Sequence, residues 1–270
     1  MSEKKLMKGN EAIAEAAIRG GCRYFFGYPI TPQNEIPEYM SWRIREVGGD
    51  FVQAESEVAA INMVYGAAGA GARAMTSSSS PGISLKQEGI SYIACAELPC
   101  VIVNMVRSGP GLGGILASQC DYFQTVKGGG HGDYKLLTYA PSTVQEAVDI
   151  LYYAFDKADE YRTPVCILGD GLLGQIMEPV TFPEMKEMPD PSTKSWAVTG
   201  THHGKDKTLA SSIYIDPNLG EAQNNHLVEK FERIAQKETQ CEEFMCDDAE
   251  IILTGYGLSL IHISEPTRLR

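Results

Sequence analysis

Along the first 180 residues, short apolar runs alternate with longer segments in which apolar positions recur every three or four residues. The short runs, at 24–26, 51–52, 72–76, 100–106, 136–139 and 165–168, predict strands. The periodic segments, an Ala-rich stretch from Asn10 to Gly20-Gly21, a stretch after Pro32, and residues 57–69 and 143–160, predict helices. Strand followed by helix, repeated, predicts a three-layer α/β domain over residues 8–180 with a mostly parallel sheet. Helix starts are expected at Asn10, Thr31, Ser56 and Ser142, whose side-chain oxygens suit unpaired backbone donors. Pro32 suits a first helical position.

After Gln175 the rhythm fades. Residues 178–206 are rich in Pro, Thr and Lys, a polar Asn-rich stretch follows, and helical periodicity returns at 227–238, so residues 181–248 are expected to be a linker with a local helix. Residues 250–255, apolar and closed by Gly, predict the first strand of a second α/β domain that begins at 249–257 and is cut short. From Leu258 to Arg268 the chain matches the translation of a transposase sequencing adapter, so residues 258–270 are expected to be a non-native tail, and His262 carries no functional argument.

Composition narrows the class. At 270 residues and 43% hydrophobic, the chain can bury a large core without disulfides or metals. A formal net charge of −12 with no Lys/Arg cluster argues against a nucleic-acid partner. No apolar run approaches the roughly 18–20 residues that span a bilayer, and residues 1–10 are polar rather than signal-like, so no membrane association and a cytoplasmic location are expected. The seven cysteines include no C-x-x-C pair, and the five-residue spacings of Cys95 to Cys100 and Cys241 to Cys246 lack second ligands, so neither an iron–sulfur cluster nor a zinc site is indicated.

Three places carry candidate chemistry. The strand at 24–26 runs into Gly27-Tyr28-Pro29-Ile30-Thr31-Pro32, which sets a hydroxyl and free N–H groups at a sheet edge where open α/β folds bind ligands. Taken by itself, Thr31 reads more readily as a plain helix cap. Glu57 starts the next helix beside small residues that allow close approach, although a first-turn glutamate also simply complements a helix dipole. Arg107, before Ser108-Gly109-Pro110-Gly111-Leu112-Gly113-Gly114, offers a fork suited to a carboxylate, or to a surface ion pair.

Other signals weaken on inspection. Gly109, Gly111 and Gly114 match a dinucleotide fingerprint in letters, but Pro110 interrupts it and no acidic residue closes a βαβ unit. Gly169-Asp170-Gly171 resembles the start of a thiamine diphosphate metal motif, yet no Asn stands at 196–199, so no metal ligand is assigned. His131 and Asp133 lie in a Gly-rich loop, 128–134, better suited to an architectural or interface role. Ser77 to Ser80, with Pro81-Gly82, lines a cofactor site or forms a turn.

Taken together, residues 27–32, Gln53-Ala54-Glu55-Ser56-Glu57, 76–82, Val103-Asn104-Met105-Val106-Arg107-Ser108-Gly109-Pro110 and 129–134 resemble the alpha subunits of 2-oxoacid:ferredoxin oxidoreductases across roughly residues 8–180. Within that family the chain is most similar to the 2-oxoisovalerate (3-methyl-2-oxobutanoate) type, partly through 127–134 and 140–146. The resemblance implies the thiamine diphosphate-binding fold of the pyrimidine type. It further implies Glu57 as the partner of the aminopyrimidine, Thr31 and Arg107 on the substrate side, and Tyr28, Pro29, Ile30 and Thr31 around the cofactor.

The implied reaction is coenzyme A-dependent oxidative decarboxylation of a branched-chain 2-oxoacid with ferredoxin as acceptor. By the same resemblance, thiamine diphosphate is shared with a beta subunit that holds the diphosphate and Mg2+, and iron–sulfur clusters lie on partners that include gamma and ferredoxin-like delta subunits. Two rivals remain: the same reaction on 2-oxoglutarate or pyruvate, and a noncatalytic α/β scaffold in which Glu57 is only a helix-start carboxylate.

Overall fold

In the computed structural model, which describes residues 4–201 and 206–260, six strands form one fully parallel sheet. They are β2 (Tyr24–Gly27), β3 (Asp50–Gln53), β4 (Ala74–Ser78), β5 (Cys100–Val106), β6 (Leu137–Tyr139) and β7 (Pro164–Asp170), in the order β3-β2-β4-β5-β7-β6. Along β4 and β5, successive side chains enter opposite cores: Met75, Val101, Val103 and Met105 on one face, Ala74, Cys100 and Ile102 on the other. Both faces are covered, which is why these strands read as unbroken apolar runs. The first face carries α1 (Gly9–Arg19), α2 (Glu35–Glu46) and α6 (Val144–Tyr161); the second carries α3 (Glu57–Gly69) and α4 (Ser80–Cys95). The three-layer α/β fold with a parallel sheet is as expected.

Outside this sheet, β1 (Lys5–Lys8) pairs antiparallel with β8 (Met177–Val180), so the segment read as the start of a fading region is tied to the amino terminus. Helix α8 (Pro217–Glu238) begins ten residues before its apolar periodicity does. Asp216 caps it and Pro217 opens it, but only Leu227, Lys230 and Ile234 are buried, so its first turns are polar and give no periodic signal. Lys230, 3% exposed, bonds Glu97 Oε1 at 3.1 Å and the Arg162 carbonyl, fastening α8 to the body.

Several expectations are corrected. Residues 250–255 pair with no strand among the described residues; Ile251 and Leu253 are exposed, as expected of an apolar stretch with no neighbouring strand to complete. The chain then returns to the body, where Gln119 donates to the Tyr256 carbonyl, Tyr256 stacks on Tyr122, and Leu258 is buried. Most of the adapter-like stretch, from 261 onward, lies outside the described residues. Asn10 does not cap α1. It lies inside that helix, fully buried, and donates to the Pro32 carbonyl and the Glu35 carboxylate, 2.8 Å each. The cap of α6 is Thr143, which accepts from Glu146 N, while the Glu146 carboxylate accepts from the Ser142 amide and hydroxyl. Ser56 caps α3 as expected, accepting from Ala59 N.

α1 crosses α7 (Gly171–Gln175) with almost no space, since a Cβ at Gly9 would collide with the Leu173 carbonyl. Gly9→Ala is therefore expected to destabilise the fold by about 1–3 kcal/mol, read as a lowered denaturation midpoint. An unchanged midpoint would mean that α1 can retreat from α7.

Candidate functional site

Strands β2 and β4 are neighbours, yet the chain leaves them in opposite directions. After β2 it forms α2 on one face and returns as β3 at the sheet edge; after β4 it forms α4 on the other face and continues to β5. A crevice opens between the carboxyl ends of two such strands. Residues 27–32, the Ser77 to Gly82 turn and Arg107 all belong to this edge.

Glu57 opens α3 at this crevice. It is only 7% exposed, and among the described residues its carboxylate has no hydrogen-bond partner. Gly82 on α4 makes this placement possible, because a Cβ there would collide with Ser78 Oγ and stand 2.8 Å from Glu57 Oε1. Beside it, the hydroxyls of Ser78 and Ser79 are fully buried and have no hydrogen-bond partner among the described residues. Unsatisfied buried polar atoms are costly in a native fold, and their clustering marks a place where a polar ligand completes the hydrogen bonding.

The 27–32 segment is not the helix start its sequence suggests. α2 begins at Glu35, and the Thr31–Pro32 peptide is cis. Thr31 caps nothing; its hydroxyl accepts weakly from Asn34 Nδ2 at 3.4 Å. The turn is closed by Gln33 N donating to the Ile30 carbonyl, and its shape is set from below: the Pro32 carbonyl accepts from both Asn10 and Gln175. Burial pushes the Glu35 carboxyl up, but hydrogen bonds from Asn10, Gln175 and Lys8 outweigh it and hold the group below its usual range. Gln33, fully buried, accepts from Ser77 Oγ at 2.5 Å and donates to the Tyr28 carbonyl, joining the turn to β4.

Arg107 is brought against this turn. Its Nη1 donates to the Thr31 carbonyl at 3.0 Å and its Nη2 to the Leu112 carbonyl at 2.7 Å, while Nε is buried without a partner. No carboxylate pairs with it among the described residues, so the reading of Arg107 as an ordinary surface ion-pair residue is set aside. Its backbone is anchored to the start of α4 by Ser80 Oγ, and Ser80 N donates to Asn104, which in turn donates to Asp121. The structure thus unites Thr31 and Arg107 directly. Glu57 stands across the amino end of α4, where it faces Gly82.

Other candidates take structural roles. Asp170 caps α7, accepting from the amides of Leu172 and Leu173 at 2.9 Å. The 128–134 loop packs on α4: Gly129 and Gly130 lie against Gln87, the Tyr134 hydroxyl donates to Gln87, and the His131 carbonyl accepts from Ser91. Residues 108–117 form an irregular loop held by a bridge between Arg107 and Ala117, not a nucleotide-binding turn into a helix.

Sequence reasoning missed Gln33 and Lys86. Lys86 is fully buried in α4, with Nζ donating to Thr76 Oγ1 at 2.5 Å and the Ser77 carbonyl at 3.3 Å. Sequence spacing alone does not mark it: Lys86 lies four residues after Gly82 on the same helix face, and only the packing of that face buries it.

The family described as "Pyruvate flavodoxin/ferredoxin oxidoreductase, thiamine diP-bdg" matches residues 15–242. Ketoisovalerate oxidoreductase subunit VorB of Methanothermobacter thermautotrophicus is 53% identical over 255 residues, 94% of this chain and 72% of that protein. From the same organism, 2-oxoglutarate synthase subunit KorA is 46% identical over 185 residues, 68% of this chain and 49% of that protein. The solved 2-oxoglutarate:ferredoxin oxidoreductase from Magnetococcus marinus, with 2-oxoglutarate, coenzyme A and succinyl-CoA bound, superposes with a TM-score of 0.77 at 27% identity, covering 88% of this chain and 46% of that one. Because the matched region takes in the parallel sheet and both strands that border the crevice, the chain belongs to the pyruvate flavodoxin/ferredoxin oxidoreductase family, within its thiamine diphosphate-binding domain.

Proposed function

We propose that this chain is a subunit of a 2-oxoacid:ferredoxin oxidoreductase acting on branched-chain 2-oxoacids, and that its β2/β4 crevice forms the aminopyrimidine side of a thiamine diphosphate site. The observation that carries the proposal is Glu57, a largely buried glutamate at the switch point of the sheet whose carboxylate has no hydrogen-bond partner among the described residues. A hydrogen-bonding ring nitrogen is the kind of group such a carboxylate lacks, so the residues fit the cofactor. Bound thiamine diphosphate supplies a nucleophilic carbon at which a 2-oxoacid can lose carbon dioxide.

With the cofactor bound, Glu57 would hydrogen-bond the aminopyrimidine from a position that is itself largely buried. Tyr28, Pro29, Ile30 and Thr31 form the facing wall, shaped by Asn10, Gln33 and Gln175. Arg107, whose charge meets only neutral carbonyls, exchanges one of them for the substrate carboxylate. Thr31, directly beneath that guanidinium, orients the same group.

The remaining parts belong to partners in this reading: the diphosphate and Mg2+ on a beta subunit, iron–sulfur clusters on gamma and ferredoxin-like delta subunits, with coenzyme A and ferredoxin as further reactants. Support for a covering partner comes from apolar side chains exposed around the crevice, including Leu112 at 78%, Ile115, Leu116 and Phe123. A cytoplasmic setting is supported by seven free cysteines; no helix among the described residues is long and apolar enough to cross a membrane. The preference for a branched-chain acid rests on the 53% identity to the ketoisovalerate enzyme subunit, and the KorA similarity keeps 2-oxoglutarate as the second reading.

In the assembled complex, Glu57→Gln is expected to slow 2-oxoacid-dependent ferredoxin reduction by about 10²-fold or more; near-normal turnover would leave the chain a scaffold. Arg107→Lys keeps the charge but loses the fork, and kcat/KM is expected to fall roughly 10- to 150-fold, equivalent to about 1.5–3 kcal/mol. Steady-state kinetics on 2-oxoisovalerate, 2-oxoglutarate and pyruvate should give the highest kcat/KM with the branched acid; a clear preference for 2-oxoglutarate would select the second reading.

A further inference from the structure

Arg107 is held by more than the two carbonyls its guanidinium touches. Its main chain is clasped at both polar atoms by one hydroxyl: Ser80 Oγ accepts from Arg107 N at 3.0 Å and donates to the Arg107 carbonyl at 3.2 Å. The Ser80 amide donates to Asn104 Oδ1 at 3.2 Å, and Asn104 Nδ2 donates to Asp121 Oδ2 at 2.9 Å. Cys120, the chain neighbour of Asp121, donates its thiol hydrogen to the Arg107 carbonyl at 3.2 Å. The contacts close a ring, from Arg107 through Ser80, Asn104, Asp121 and Cys120 back to Arg107.

The ring stands at the base of a loop that lacks regular structure. Residues 108–117 bond among themselves, with Ser108 N donating to the Leu116 carbonyl, Gly114 N to the Ser108 carbonyl, and a bridge between Arg107 and Ala117. Such bonds give the loop a shape but no place on the sheet, and Leu112, which accepts from Arg107 Nη2, belongs to the loop itself. The ring supplies the place. Asn104, on β5, is 1% exposed, and Ser80 and Asp121 are buried on either side of it. Asp121 immediately precedes α5 (Tyr122–Lys127), a position from which a carboxylate ordinarily caps its helix. Its side chain makes no cap bond and accepts from Asn104 instead. Both ends of the loop are thereby fastened to one point of the fold.

That point is the first turn of α4. Ser80 opens the helix, and Gly82, two residues on, faces Glu57. A single helical turn carries both the clasp on Arg107 and the contact with Glu57, so the interval between them is set by helical backbone and not by the loop. We infer that Ser80 is a positioning residue for Arg107: its hydroxyl fixes where the guanidinium stands relative to Glu57, and so where a substrate carboxylate comes to rest. The inference deepens the proposed role of Arg107 and rests on it for its functional meaning, whereas the clasp is a property of this chain alone.

Kinetics and hydrogen exchange on the assembled complex test the two parts separately. Ser80→Ala is expected to raise KM for 2-oxoisovalerate about 3- to 10-fold with kcat little changed. In an Arg107→Ala background the same substitution is expected to change kcat/KM by less than about 2-fold, because a residue that acts through Arg107 has nothing left to position. Equal losses in the two backgrounds, or an unchanged KM in Ser80→Ala alone, overturn the inference. Residue-resolved exchange reads the clasp itself: the Arg107 amide is expected to exchange about 10-fold faster in Ser80→Ala, and an unchanged rate overturns the inference whether or not Arg107→Ala is active enough to assay. Should Ser80→Ala not assemble, the unmodified complex decides, since its Arg107 amide is expected to exchange at least about 10-fold more slowly than the Gly111 and Gly113 amides of the same loop; equal rates overturn the clasp. Normal kcat/KM in Arg107→Ala would instead reject the carboxylate role proposed for Arg107 and leave the clasp to be judged by exchange.

Discussion

The arrangement depends on the close approach of α3 and α4. Gly82 lets Glu57 sit at the amino end of α4 instead of in solvent, and Gly89 lets Ile61 pack against the same helix one repeat lower. With larger residues at either point the helices would separate, Glu57 would gain water, and Lys86 would lose the dry seam in which it is held. Small residues here are not flexibility; they set a distance. The distance in turn sets a largely buried glutamate at the crevice with no hydrogen bond to its carboxylate among the described residues.

The opposite wall is built by another kind of constraint. Its backbone is irregular, so its shape comes from side chains beneath it: Asn10 and Gln175 converge on one carbonyl, and Gln33 ties the turn to β4. Asn10 and Gln33 are fully buried while Gln175 is exposed, and each hydrogen bond they make fixes a carbonyl direction that a loop alone would leave undetermined. The crevice is thus rigid on the helix side through packing and on the loop side through hydrogen bonds.

Much of the fold was legible because its strands are short apolar runs and its longer helices have one wet face. The sheet order was not, since register and neighbour choice depend on which faces the helices cover. Caps were read one or more residues out at Asn10, Thr31 and Ser142, because a polar residue near a helix start can serve tertiary contacts as readily as its own helix. The first turns of α8 were invisible for a simple reason: they bury no apolar side chain and meet the body only through polar groups such as Gln223, which donates to the Cys95 carbonyl. At the site, the residue types alone left Glu57 and Thr31 as ordinary helix-start residues, and it was the joint resemblance of several segments that raised them. Gln33 and Lys86 escaped both routes, because what distinguishes them is their complete burial, which only the assembled fold reveals.

The two carbonyls on which Arg107 rests make the guanidinium a group already engaged before any ligand arrives. Binding there is an exchange, in which an anion must outcompete an internal acceptor, and the gain is the difference between a carboxylate and a peptide oxygen. A neutral molecule of the same shape would gain almost nothing from the trade. In the role proposed for Arg107, the site would discriminate by charge, with the Thr31 carbonyl holding one arm of the fork in place.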